Sequence, residues 1–253
     1  MFIDAHCHLD WFDEPEAVVL EAAAAGVKKI VSCSTSLLSI QKHLLLAQEF
    51  GGIEVCLGVH PADLLSMPPG EIEKAKELVS QNIGNAAGIG EVGLDFMRAK
   101  SEAEKKLQAE TFGFFAALAK KASKPVVVHS RDSDNECIGM LESAGCKKVL
   151  LHWCTNSAET VKRASALGYF MSAGPAIISG KKAASVAKEI PLDLLMLETD
   201  APVAFSGKHS SPAWIPKVAE KIAELHSLSV SRVEEQTTAN AERLFRFRAS
   251  KKG

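Results

Sequence analysis

The N-terminal stretch Phe2-Ile3-Asp4-Ala5-His6-Cys7-His8-Leu9 alternates apolar and polar residues, which is the pattern of a half-buried strand. A strand places residues i and i+2 on one face. Asp4, His6 and His8 are therefore expected on one side, and Ile3, Ala5, Cys7 and Leu9 on the other. Two imidazoles side by side on a rigid strand suit a divalent metal, because neutral His is a common ligand. A lone His-x-His is more often a pair of histidines on a wetted strand end, so the surrounding fold decides its meaning.

Outward from that stretch the same unit recurs. A helical pattern over about 14–25 is closed by Gly26, and glycine is favoured just past a helix end. Further strands are expected at about 29–34, 53–60, 87–95, 125–130, 149–152, 169–173 and 194–200. Helical patterns fill the gaps at about 39–50, 71–82, 101–121, 134–143, 158–166, 181–189, 216–225 and 233–247, with Gly51-Gly52 turning into the third strand. Pro61 ends that strand, having no N–H for a ladder. The fourth strand carries Gly88, Gly90 and Gly93, which implies close backbone packing. The clearest helix, 101–121, is expected to bury Leu107, Thr111, Phe114, Phe115 and Leu118.

Eight short apolar strands alternating with helices indicate a parallel sheet with helical crossovers. Eight such units in 253 residues match a (β/α)8 TIM barrel of the α/β class, here read as a single domain over 1–253. The rival, an open doubly wound sheet, lacks its usual G-x-G-x-x-G turn after the first strand. A barrel predicts that functional residues gather at the C-terminal ends of the strands.

Composition narrows the function classes. The chain is 47% hydrophobic and 24% charged, an ordinary balance for a globular protein with a full core. A net charge of −2 leaves any phosphate-binding surface local rather than global. The six cysteines include no C-x-x-C pair and read as reduced, which points to the cytoplasm. Neither a signal peptide nor a membrane span is expected, and no obligate protein partner is evident.

Metal-capable residues occupy the predicted rim. His6 and His8 end strand one, His60 strand three, Glu91 and Asp95 strand four, His129 strand five, His152 strand six and Asp200 strand eight. Each alone has a bland explanation: Asp200 as an N-cap, Glu91 as half of an ion pair. Together they make a ring of four histidines (6, 8, 129, 152) and two carboxylates (Glu91, Asp200) around one mouth. Six ligands exceed the three plus water of a catalytic zinc. They suit two metals about 3.5–4 Å apart. Glu91 is the expected bridge, since no strand-end position of the ring is a lysine that could be carboxylated. Imidazole favours Zn, while carboxylate and water suit Mg or Mn.

The segments Phe2–Asp10, Gly58-Val59-His60-Pro61, Gly90-Glu91-Val92-Gly93-Leu94-Asp95, Pro125–Asp132 and Leu197-Glu198-Thr199-Asp200-Ala201-Pro202 resemble the TatD family of metal-dependent deoxyribonucleases, in order and across nearly the whole chain. The resemblance implies that His6, His8, Glu91, His129, His152 and Asp200 bind two divalent metals, with Mg²⁺ favoured over Mn²⁺ or Zn²⁺. It places His60 beside the substrate phosphate, and it implies hydrolysis of DNA phosphodiesters, including attack from the 3′ end. Asn240-Ala241-Glu242-Arg243-Leu244-Phe245 also resembles the family's C-terminal signature. The chain departs from the family at His152-Trp153-Cys154-Thr155-Asn156, at His209-Ser210-Ser211-Pro212 and at Phe96, all expected in loops on the mouth side.

In the expected chemistry Asp200 and Glu91 are the catalytic carboxylates, Asp200 orienting the attacking water and taking its proton. His60 and Arg131 hold the phosphate, a guanidinium being suited to bidentate contact. Trp153 and Trp214 are candidates to stack a base. A rim salt bridge of Arg131 with Asp132 or Asp134 is the equal alternative. Two rivals stand beside this reading: an amidohydrolase, lactonase or deaminase on the same barrel, and a non-catalytic metal-binding protein.

Overall fold

The computed structural model describes residues 1–50, 52–154 and 157–247; Gly51, Thr155, Asn156 and the last six positions lie outside it. The chain runs β1 (Phe2–Cys7), α1 (Pro15–Ala24), β2 (Val27–Cys33), α2 (Leu37–Glu49), β3 (Ile53–Leu57), α3 (Pro61–Leu64) and α4 (Pro69–Asn82). It continues with β4 (Gly88–Asp95), α5 (Glu102–Ala122), β5 (Val126–Arg131), α6 (Asp134–Ser143), β6 (Val149–Leu151), α7 (Ala158–Ala166) and β7 (Phe170–Ala173). The last part is α8 (Ala176–Ser179), α9 (Lys181–Glu189), β8 (Leu195–Leu197), a small hairpin of β9 (Ala204–Phe205) and β10 (Lys208–His209), then α10 (Ile215–His226) and α11 (Val230–Phe245).

Strands β1 to β8 form one sheet in sequential order, each neighbour parallel to the next. The expected TIM barrel is what the chain builds. Its seam between β8 and β1 is stitched rather than laddered. Asp200 N–H donates to His6 O at 2.9 Å and His8 N–H to Ala201 O at 2.7 Å. The buried Asp4 carboxylate accepts the Thr199 N–H at 3.0 Å and also the Thr199 hydroxyl. Asp4 is thus part of the wall and not of the site.

Two apolar layers result. Ile3, Ala5, Val31, Cys33, Val127, Leu150 and Met196 fill the barrel interior, and Ala241, Leu244 and Phe245 of α11 join them. Asn240 donates to the Leu192 and Leu195 carbonyls at 2.8 and 2.7 Å, fixing α11 against the start of β8. The C-terminal signature is therefore structural. The second layer lies between strands and helices and includes Phe2, Cys7, Leu9, Ile89, Val92, Phe112 and Phe115.

This layering corrects the simple alternation expected of strand one. Ile3 and Ala5 belong to the interior, while Cys7 and Leu9 belong to the outer layer. The reason is a register shift: Asp4 pairs with Ile30 and Cys7 with Ser32, three residues advancing against two. Such a bulge bends a strand and re-aims its side chains. The strand β4 has the same device, with Ile89 opposite Val126 and Val92 opposite Val128. His6 and Glu91 both sit at these bulges.

Helix α5 also differs from its expected face. It buries Gln108, Thr111, Phe112, Phe115, Ala116 and Ala119, while Phe114 is exposed beneath the Lys76 ammonium. Gln108 leaves the solvent because it has two partners inside: it accepts the Asp95 N–H at 3.0 Å and donates to Pro61 O at 2.9 Å. It thereby ties the end of β4 to the segment carrying His60. No helix among the described residues is long and apolar enough to cross a membrane.

Candidate metal centre

The six expected ligands converge at the C-terminal mouth of the barrel. Glu91 lies at the centre. Its Oε2 is 3.4 Å from His6 Nε2 and from His8 Nε2. Its Oε1 is 2.7 Å from His152 Nε2 and 2.9 Å from His129 Nδ1. Asp200 Oδ1 closes the first side, 3.3 Å from His6 Nε2 and 3.2 Å from His8 Nε2. One carboxylate therefore faces two ligand groups with its two oxygens.

The backbone explains why these side chains can meet. Gly90 lies so close to β5 that a Cβ there would fall 2.7 Å from the Val127 Cβ. Gly93, at φ +148°, lies against the His129 carbonyl, where a Cβ would stand at 1.9 Å. These glycines press β4 onto β5 on either side of Glu91. Asp200 lies past the end of β8 with φ 51°, the left-handed region that Asp tolerates better than most residues.

Hydrogen bonds on the far ring nitrogens set the tautomers. His8 Nδ1–H donates to Cys33 O at 2.9 Å, so the neutral ring has its lone pair on Nε2. His129 Nε2 donates to Asp95 Oδ2 at 3.2 Å, leaving Nδ1 for the Glu91 side. Asp95 was visible in the sequence only as a strand-end carboxylate; its task is to orient His129. Both nitrogens of His6 and Nδ1 of His152 are buried with no hydrogen-bond partner among the described residues. Burying such an atom unpaired is costly. An ion held at His6 Nε2 by the two carboxylate oxygens would satisfy it, so the donor set fits a divalent metal.

Electrostatics agree with a site built for cations. Burial alone would raise the Glu91 carboxyl, but the surrounding imidazoles, His152 foremost, hold it well below the usual range. Burial likewise opposes ionisation of Asp200, and His6 and His8 outweigh it, drawing Asp200 down. Burial lowers His8, yet its hydrogen bond to Asp200 and the Glu91 charge lift it to about 9. His129 and His152 are raised in the same way, against burial, by Asp95 and Glu91 for the first and chiefly Glu91 for the second.

His60 behaves differently. With Glu91 and His129 it makes a third cluster of ligand-type atoms. However, its Nδ1 accepts the Ala62 N–H at 3.1 Å, which places the ring proton on Nε2. Burial pushes its pKa down to about 3, so the ring is neutral. His60 therefore presents an N–H donor rather than a ligand lone pair.

A cavity of about 640 Å³ opens above these groups. Arg131 and Trp153 line it, as do Trp11, Asp63 and Arg98, which the sequence alone did not single out. Trp153, at φ 45°, rests against Phe205 of the β9–β10 hairpin with ring centroids 4.9 Å apart. Its backbone N–H donates to the buried Glu198 at 2.7 Å, and Glu198 also accepts the Ser172 hydroxyl. Trp214 does not line the cavity; it sits at the start of α10, with Lys217 over its ring at 5.9 Å.

The comparisons agree with this geometry. A sequence profile of the family described as TatD related DNase matches residues 3–246. The chain belongs to the TatD family. It is 33% identical over 258 residues to the uncharacterised metal-dependent hydrolase YabD of Bacillus subtilis (strain 168), covering 98% of this chain and all 100% of that protein. It is 32% identical to the human deoxyribonuclease TATDN3, over 96% of this chain and 94% of that one. Among solved structures, the TatD homologue YjjV of Escherichia coli K12 superposes with a TM-score of 0.89 at 27% identity, covering 98% of both chains. Like other members of the TatD family, this chain is a metal-dependent hydrolase.

Proposed function

We propose that the chain is a deoxyribonuclease that hydrolyses DNA phosphodiester bonds from the 3′ end at a binuclear metal centre. The observation that supports it most is the single Glu91 carboxylate between His6 and His8 on one oxygen and His129 and His152 on the other. His6, His8 and Asp200 would hold one ion, His129 and His152 the other, and Glu91 both. Mg²⁺ is the preferred ion, with Mn²⁺ or Zn²⁺ as substitutes. Divalent metals held there would lower the pKa of a water and neutralise charge on phosphoryl oxygens.

The chain's own groups do the rest. Asp200, held ionised by His6 and His8, orients the attacking water and accepts its proton. The Nε2–H of His60 donates to a non-bridging oxygen of the scissile phosphate, and the Arg131 guanidinium binds the phosphate backbone of the strand. Trp153 bounds the pocket on the β6 side and packs against a base. DNA is the partner this cavity suits, and the six unpaired cysteines fit a reducing cytoplasm.

The test is degradation of 3′-end-labelled single-stranded DNA by the parent and by D200N. The parent should degrade it with Mg²⁺ or Mn²⁺ and stop on chelation, and D200N should lose at least about 100-fold, as expected when a proton acceptor is removed. Parent activity in D200N would remove Asp200 from the mechanism. A lactonase or amidohydrolase reading gains only if esters or lactones turn over and diesters do not.

A further inference from the structure

Resting on that reading, we propose that the nucleic-acid strand crosses the barrel mouth from Trp11 to Arg98 and Arg131. A base stacks on Trp11, the scissile phosphate sits at the metal ligands, and the two guanidiniums hold the next phosphate.

Trp11 is 50% exposed, although it is a large aromatic residue on the wall of the cavity. One face of its ring lies flat on His8, with centroids 4.5 Å apart and planes 16° from parallel. The indole is therefore anchored on one side and wetted elsewhere, as a stacking platform needs to be. The turn that carries it is rigid. Trp11 N–H donates to His8 O at 3.2 Å and Leu9 N–H to Ser32 Oγ at 2.9 Å. Ser32 in turn donates to His43 Nε2 at 2.7 Å, because His43 Nδ1–H is committed to Ser39 O at 2.8 Å. This buried Ser–His pair has no place in the hydrolysis; it fixes the platform. A pre-organised platform costs less entropy on binding than a mobile one.

The cations stand on the other side. With the strands in the order β1 to β8 around a barrel, β5 is opposite β1 and β4 is its neighbour. Arg98 follows β4 and Arg131 ends β5. Arg98 N–H donates to Asp95 Oδ1 at 2.9 Å, and Arg131 O accepts the Phe96 N–H at 2.9 Å, so the two loops are joined. Both side chains line the cavity, and neither guanidinium has an ion-pair partner among the described residues. Unpaired guanidiniums beside a carboxylate-rich site suit a bidentate phosphate contact. The cavity volume falls within the usual range for ligand sites and exceeds what one phosphate group fills.

The test measures kcat/KM for a thymidine trinucleotide, for its single-abasic analogues and for the dinucleotide. For the parent, removing one base and removing one phosphate should each cost about tenfold. W11A should erase the base effect and keep the phosphate effect, W11F should keep most of both, and R98A or R131A should erase the phosphate effect alone. Base and phosphate effects in W11A equal to those of the parent, or both effects lost together in every variant, would overturn the strand path. A parent that cleaves no diester would instead overturn the nuclease reading itself. A parent that cleaves all of these substrates equally overturns only the path.

Discussion

Asp95 Oδ2 lies 3.2 Å from His129 Nε2, while the other nitrogen of the ring faces Glu91 at 2.9 Å. Partners of this kind fix the tautomer of a ligating histidine, and their loss typically weakens a metal about 10- to 100-fold. D95A should therefore lose about that much affinity for one of two bound Mn²⁺ ions, read by isothermal titration. D95N, whose amide oxygen still accepts the N–H, should lose less. Unchanged affinity in D95A would mean that His129 is held by its packing alone.

Metal loading should also depend on pH. His8 has its pKa lifted to about 9, burial being overcome by Asp200 and Glu91. Below that pH the metal-free ring carries a proton that an ion must expel, so affinity should rise with pH up to about 9 and then level. Titrations in buffers of different ionisation enthalpy should count at least one proton released at pH 7. An affinity flat between pH 6 and 9 would contradict the assignment of His8.

The β4–β5 contact should tolerate no side chain at Gly93. A Cβ there would stand 1.9 Å from the His129 carbonyl, on a backbone at φ +148°. G93A should cost about 3 kcal/mol or more, since both strain and overlap are introduced. Denaturant melts of the metal-free protein would show it. Stability within about 0.5 kcal/mol of the parent would mean that the strands separate freely.

The seam between β8 and β1 rests on Asp4. D4A would leave the buried Thr199 N–H without its acceptor, at a cost of about 1–3 kcal/mol for that group. It should also weaken metal binding, because His6 and Asp200 stand on the two sides of the seam. Equal stability and equal metal affinity in D4A would show that the flanking backbone bonds suffice.

The barrel and most of the proposed ligands were legible because these residues end short apolar runs that follow one another along the chain. His6, His8, His129, His152 and Asp200 announce themselves in this way, while Glu91 stands inside β4. The bulges were not legible: a period of two assumes a regular strand, and nothing in Asp4–Cys7 or Ile89–Val92 says where the extra residue is inserted. The roles of Asp95, Gln108 and Trp11 depend on contacts with β5, with Pro61 and with His8, which local patterning does not encode. Trp214 shows the converse, an aromatic residue near the mouth in sequence that packs at the start of a helix instead. The two-residue strands of the hairpin against Trp153 were too short to carry a pattern.

Two ions are proposed to act together at the Glu91 carboxylate. The most direct measurement is the rate of nucleotide release from 3′-end-labelled single-stranded DNA as a function of Mn²⁺ bound per chain. The predicted result is two ions bound per chain, with hydrolysis rising as the second loads, and loss of both in E91Q. Two ions bound with no release of nucleotides, or full hydrolysis in E91Q, would contradict it.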